Sequence, residues 1–309
     1  MKPSLFESYP VMLTPFLANG EIDIDALQQL VEYYIATGST GLFANCLSSE
    51  MFQLADDERI QITKAVVDQV NGSQQVVATG TFGYNQERNI ELIKRIHDTG
   101  VYAVIINSNQ LATQSESDDV WKKNIDQILA GTGDIPFGVY ECPVPYKRLV
   151  SPQLLGWLGH TGRFAFLKDT CCDLEQIKLR IEAVRGTQLQ IYNANISTGM
   201  SSIQYGAKGL ASTASNFYPE LLQYLSQNPN LQNKESNRLN NFITHVDSLI
   251  HENYPMSAKY FMQLRGMNIN TLTRTPVGQF THQDFVKFDK LFEAFEMLSE
   301  ELEIEVYRF

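Results

Sequence analysis

The sequence predicts a (β/α)8 barrel of the TIM type over residues 1–218, followed by a helical region, residues 219–309, packed on the barrel. Three observations predict it. Eight short β-rich runs occur in order: Pro10–Thr14, Gly41–Ala44, Gln75–Thr79, Val101–Ile106, Phe137–Tyr140, Ala165–Lys168, Leu189–Tyr192 and Lys208–Ala211. The stretches between them carry helical periodicity, and a strand-then-helix unit repeated eight times is what such a barrel requires. No Gly-x-Gly-x-x-Gly follows the first run, which argues against the alternative of a doubly wound open sheet.

The helices can be justified in turn. Ile24, Leu27, Leu30, Val31 and Tyr34 recur at the three-to-four step of one helix face. Asp56 or Asp57 is placed to start the helix that carries Ile60, Ile62 and Val66. Ile90, Leu92, Ile93 and Ile96 form another such face. Beyond Pro219 the β-rich runs stop, and Leu221–Leu225, Leu239–Ile250, Ala258–Leu264 and Phe285–Leu298 read as helices. In the last, Phe285, Phe288, Leu291, Phe292, Phe295 and Leu298 make an apolar stripe, with Thr281 and Asp284 as its capping box. That stripe fits packing on the barrel or on a partner subunit.

The chain has 309 residues, 43% hydrophobic, and a formal net charge of −11. The acidic balance argues against nucleic-acid or anionic-membrane partners, because phosphate binding needs a basic surface. No apolar stretch approaches the roughly 18 residues of a membrane span. The start, Met1 to Glu7, lacks the apolar run of a signal peptide. A soluble cytoplasmic protein is expected. The four cysteines, Cys46, Cys142, Cys171 and Cys172, fit no zinc pattern. The five histidines, His97, His160, His245, His251 and His282, lie away from the expected strand tips, so no metal and no cofactor is expected.

In such a barrel the chemistry sits at the carboxyl ends of the strands. The sixth run ends at Lys168 and the fifth at Tyr140. A lysine after a buried apolar strand is poorly solvated, which favours its neutral, nucleophilic form. It could then form an imine with a ketone or aldehyde, with Tyr140 moving protons. By position alone, Lys168 could equally reach solvent, Tyr140 could merely pack, and Ser48 is one of many turn serines.

Taken together, these residues resemble the dihydrodipicolinate synthase / N-acetylneuraminate lyase family, the class I pyruvate-type aldolases. Leu13-Thr14-Pro15-Phe16 stands where that family has its first-strand Thr-Pro. Gly41 to Glu50 aligns with its Gly-Leu…Gly-Thr-Thr-Gly-Glu stretch, and Val76-Val77-Ala78-Thr79-Gly80 with its third strand. Tyr140-Glu141-Cys142-Pro143 matches Tyr-Asn-x-Pro, and Leu167-Lys168-Asp169-Thr170 matches the strand of the Schiff-base lysine. Gly206 to Gly209 and Ser215-Asn216 match the region of the eighth strand.

The resemblance implies that Lys168 is the imine lysine, Tyr140 the proton shuttle and Ser48 a carboxylate-binding hydroxyl. Leu47, Asn109, Ala194 and Ala211 join Ser48 as candidate substrate-binding positions. The departures are specific. Leu47 replaces the first hydroxyl of the carboxylate turn, and Cys46 and Ser49 replace its glycines. Asn109 and Gln110 stand where many members have a tyrosine pair. Pro145 stands where the synthase has its substrate-carboxylate arginine, which argues against synthase activity itself; Lys147 and Arg148 offer alternative cations or plain loop charges. Glu141 replaces an asparagine and could act as an acid/base or pair with Lys147. The expected activity is a lyase or aldolase acting on pyruvate or a related 2-oxo sugar acid. Dehydration through the same imine, or oxo-acid binding without turnover, are the alternatives. A homo-oligomer, tetramer or dimer, is implied by the resemblance.

Overall fold

The computed structural model describes residues 5–309; Met1 to Ser4, part of the segment weighed for a leader, lie outside the described residues. Eight parallel strands form one sheet in the order β1-β8-β7-β6-β5-β4-β3-β2. They are β1 (Glu7–Ser8), β2 (Gly41–Asn45), β3 (Gln75–Thr79), β4 (Ala103–Asn107), β5 (Phe137–Tyr140), β6 (Phe164–Asp169), β7 (Gln190–Asn193) and β8 (Gly209–Leu210). The first differs from the expected Pro10–Thr14. Glu7 and Ser8 pair with Gly209 and Leu210, and the extended chain beyond them closes the barrel against β2. There Val11 bridges Phe43, Met12 N donates to Phe43 O at 3.1 Å, and Phe43 N donates to Pro10 O at 2.9 Å. One segment thus serves two neighbours, so apolar β-propensity alone misplaced its paired part.

The helices are α1 (Ile24–Ala36), α2 (Asp56–Val70), α3 (Gln86–His97), α4 (Asp118–Gly131), α5 (Pro152–His160), α6 (Leu174–Ala183) and α7 (Ile196–Gln204), then α8 (Pro219–Gln227), α9 (Lys234–His245), α10 (Asp247–Ile250), α11 (Met256–Leu264) and α12 (His282–Glu301). The start of α2 corrects the expected cap. Ala55 is its N-cap, with its N–H donating to Glu58 Oε2 at 2.8 Å, while Asp56 and Asp57 occupy the first turn. Both aspartates there meet the positive end of the helix and bind arginines, Asp56 holding Arg59 and Arg88 and Asp57 holding Arg95. The expected continuous helix Leu239–Ile250 breaks at Val246 into α9 and α10. The β-branched Thr244 and Val246 at that joint are poor helix formers. Thr281 caps α12 and forms the capping box with Asp284.

The strands are buried on both faces, as a parallel sheet under helices requires. One core lies between sheet and helices. The other fills the barrel, where Phe166 stacks on Tyr192 at 4.3 Å and Tyr9 meets Tyr192 at 4.8 Å. Phe43 packs edge-on against Tyr140 at 5.7 Å and against Phe166 at 6.2 Å. This aromatic cluster fills the barrel interior. On the far side the α12 stripe packs inward, with Phe292 against Phe261 at 5.2 Å and Phe288 against Phe217 at 6.3 Å; Phe285, at the end of the stripe, remains partly exposed against Tyr260. No helix among the described residues is long and apolar enough to cross a membrane.

Candidate active site

Parallel pairing sets Tyr140 directly opposite Lys168 at the ends of β5 and β6. Lys168 is only 5% exposed, and its Nζ lies 4.5 Å from the centre of the Tyr140 ring and 5.6 Å from that of Phe43. It forms no ion pair with any described residue. Burial holds its pKa below the ordinary lysine range, with the nearby Cys46 and Cys142 thiols pulling the other way. Burial also pushes the Tyr140 phenol well up, and the nearby Cys142 and Cys46 thiols add to the shift. An amine inclined to neutrality therefore faces a phenol that keeps its proton.

The turn after β2 stands beside them. Leu47–Ser49 form a single 3-10 turn that ends at Glu50 in the left-handed region, φ 59°. Ser49, in place of a glycine, is used internally: Oγ accepts from Cys46 N and donates toward Met12 O and Ala44 O. Thr14 donates to Ser49 O at 2.8 Å. Ser48 is buried, whereas Leu47 is partly buried and, with Phe52 and Phe82, packs on the barrel-interior cluster. Glu50 anchors the turn. Its carboxylate accepts from Lys259 Nζ at 2.8 Å and from the N–H groups of Arg274 and Thr275. Lys259 and Glu50 are both fully buried. Lys259→Met is expected to destabilise the protein by about 3–5 kcal/mol, because it strands a buried carboxylate. Lys64→Ala, in the exposed pair with Asp68, should change stability by less than about 1 kcal/mol. Urea unfolding of both variants checks the contrast.

Behind the lysine and tyrosine lies a buried charge cluster. Arg180 of α6 donates to both oxygens of Glu141, at 2.8 and 3.1 Å, and to Asp169 Oδ2. Glu141 also accepts from Val150 N and Thr170 N. Its partner is thus Arg180 and not Lys147, because α6 lays a guanidinium across the tips of β5 and β6 while Lys147 donates to Thr170 O at 2.8 Å. Burial pushes the Glu141 carboxyl up, to about 7; the Arg180 charge opposes this and Asp169 adds to it. Arg148 is likewise engaged, with Thr113 O, Glu116 O and Asp118.

The other expected substrate-binding positions differ in their surroundings. Asn109 is fully buried, and its Nδ2 donates to Cys142 O, Val144 O and Tyr146 O at 2.7–2.8 Å, so it pins the loop after β5 and has no donor left for a ligand. Gln110 Nε2 reaches Asn109 Oδ1 at 3.3 Å. Ala211 lies in the barrel-interior layer, and Ala194 contributes a backbone N–H to Asp169 O at 2.9 Å. At the tips of β2, β3 and β4, Asn45 Oδ1, Thr79 Oγ1 and Asn107 Oδ1 are buried without a protein partner. Sequence reasoning missed Tyr254, which precedes α11. Its hydroxyl takes a hydrogen bond from Asn216 Nδ2 at 2.7 Å. No local pattern marks it, because its partner is remote in sequence. No group of His, Cys, Asp and Glu among the described residues is arranged to hold a metal.

A model of the dihydrodipicolinate synthetase family matches residues 5–295. Similar proteins include the 4-hydroxy-tetrahydrodipicolinate synthase of Staphylococcus epidermidis, 26% identical over 227 residues, or 72% of this chain and 75% of that protein. That of Methanospirillum hungatei is 24% identical over 284 residues, 90% of this chain and 96% of that protein. Among solved structures, a dihydrodipicolinate synthase from Bacillus anthracis superposes with a TM-score of 0.83 at 23% identity, covering 95% of this chain and 99% of that one. A chloride-inhibited dihydrodipicolinate synthase from Acinetobacter baumannii, complexed with pyruvate, gives 0.83 at 21% identity with the same coverage. With the family pattern running through nearly the whole chain and the barrel built to match, this protein belongs to the dihydrodipicolinate synthetase family.

Proposed function

We propose that the protein is a class I lyase or aldolase whose Lys168 forms an imine with pyruvate or a related 2-oxo sugar acid. The observation that carries this reading is a buried lysine without an ion pair, facing the buried Tyr140 across one strand register. The neutral amine attacks the C2 carbonyl to give a carbinolamine. Tyr140 protonates the departing hydroxyl, water leaves, and a protonated imine remains. In cleavage, the hydroxyl next to the scissile carbon–carbon bond loses its proton, that bond breaks, and its electron pair flows to the imine nitrogen as an aldehyde leaves. Protonation of the resulting enamine and hydrolysis return the lysine and release pyruvate.

The synthase reaction itself is disfavoured by the basic residues near the mouth. Pro145 offers no cation, and Arg148, Arg180, Lys259 and Arg274 are all held by protein carboxylates. The unpaired acceptors on Asn45, Thr79 and Asn107 favour a hydroxylated substrate, since a buried acceptor gains most from a ligand O–H or an ordered water. Dehydration would use the same imine, and the products separate the two: an aldolase releases pyruvate, a dehydratase keeps the carbon skeleton. The family likeness supports a homotetramer or dimer, which light scattering measures. Tyr140→Phe is expected to lower turnover by about 100-fold to 10,000-fold, the range for loss of a general acid, while borohydride still traps substrate on Lys168. Full activity in that variant would rule Tyr140 out as the shuttle.

A further inference from the structure

The turn after β2 is held from the far end of the chain. Glu50 closes it at φ 59°, in the left-handed region, which a non-glycine residue keeps only where surrounding contacts hold it there. Glu50 is 1% exposed, and the donors to its carboxylate lie 209 to 225 residues further along the sequence. Lys259 Nζ donates to Oε1, and the backbone N–H groups of Arg274 and Thr275 donate to Oε2 at 2.6 and 2.7 Å. Lys259 also donates to Leu272 O at 2.6 Å. Residues 272–275 lie between α11 and α12 and belong to no helix or strand, so side-chain contacts must fix their place.

The Arg274 side chain supplies those contacts. Its guanidinium grips the Glu58 carboxylate of α2 through two bonds of 2.7 Å. It also donates to Gly20 O, ahead of α1, at 2.9 Å and to Gln53 O, just past the turn, at 3.2 Å. Arg274 Cζ lies 4.6 Å from the centre of the fully buried Phe16 ring, as does Lys259 Nζ. One side chain thus joins the segment to three other stretches around the turn. A planar guanidinium with five fixed donors can do this; an ammonium has neither the reach nor the fork. On its inner side the turn meets the candidate site. Leu47 packs on the interior cluster that includes Tyr140 and Phe43, the two rings that Lys168 Nζ lies against.

We propose that Arg274 is a positioning residue: by locking residues 272–275 in place it holds Glu50 in its left-handed conformation, and so sets the turn Leu47–Ser49 against a bound 2-oxo acid. The proposal rests on the imine reading for the identity of the ligand. The amine and the turn are held independently. Lys168 belongs to β6, which is paired on both sides, with β5 and with β7. Loosening Arg274 therefore moves the turn and leaves the amine where it is. Binding of the oxo acid should weaken, while imine formation from the bound complex keeps its rate.

Arg274→Met tests this, with Arg274→Lys as the conservative variant. The Met variant should fold, because Glu58 is 27% exposed and keeps contact with water when its partner is lost. Hydrogen exchange read by mass spectrometry should speed at least about tenfold in the peptide carrying Ser49, Glu50 and Met51, and stay unchanged in β5 and β6. Those three amides bond within the turn, at 3.0–3.3 Å. In borohydride trapping, the pyruvate concentration that half-saturates labelling of Lys168 should rise about tenfold, with the saturated rate within about twofold of native. Arg274→Lys should fall between native and Arg274→Met in both readouts. Arg238→Met, which removes a surface ion pair with Glu301, should change neither. Unchanged exchange in the turn, an unchanged half-saturating concentration, or a comparable loss in the saturated rate would overturn the proposal. If the native protein labels no Lys168, the imine reading fails, and NMR titration with pyruvate decides the role of Arg274 separately. A loss of about tenfold in pyruvate affinity in Arg274→Met then sustains the role, and equal affinity, or no binding to the native protein, overturns it.

Discussion

Lys168→Ala is expected to abolish covalent capture of 2-oxo acids and to lower turnover by at least about 1,000-fold, because no other group at the strand tips can form the imine. The fold should survive. Lys168 forms no ion pair with a described residue, so its removal leaves no buried carboxylate behind. Its neighbours are the rings of Tyr140 and Phe43, and truncation loses packing only. The pH dependence of capture in the native protein carries a second signature. The amine must be neutral to attack, so the rate of imine formation rises as pH passes upward through the lysine pKa. Burial lowers that pKa, and the rise should therefore come below the range of about 10.4 typical of a free lysine. A profile that rises only at the ordinary lysine pKa would mean that Lys168 is solvated in solution. Trapping rates from pH 5 to 10 distinguish the two.

Arg180→Met is the second large effect. It leaves the buried Glu141 and Asp169 facing each other without a cation, and should cost about 3–5 kcal/mol in urea unfolding. Glu141→Gln should cost much less, about 1 kcal/mol, because Arg180 keeps Asp169 as its counterion and the amide oxygen can still accept. The cluster ties the residue after Tyr140 to the residue after Lys168, so Arg180→Met should also depress trapping on Lys168, even at temperatures where the variant is folded. If Glu141→Gln proved as damaging as Arg180→Met, net charge balance would not be what stabilises the cluster.

How much of this could be read from the sequence depended on how local the cause was. The strands from Gln75 onward and the faces of α1, α3 and α12 follow from periodicity, which is a local property. The placing of Lys168 and Tyr140 side by side at strand ends was legible because both residues end apolar runs. Glu141 was legible as unusual but not as paired. Lys147 is near in sequence, yet the helix returning along β6 brings Arg180 across instead. Asn109 looked like a substrate contact because of its position, and only the path of the loop after β5 shows its amide closing on three carbonyls. Tyr254 gave no signal at all, since nothing near it in sequence relates it to Asn216; their hydrogen bond forms only when the chain beyond the barrel folds back.

Borohydride reduction of the native protein in the presence of pyruvate, followed by peptide mass spectrometry, tests the imine most directly. A reduced pyruvyl adduct on Lys168, and on no other lysine, is the expected result. An unmodified Lys168, or an adduct carried by a different lysine, would contradict it.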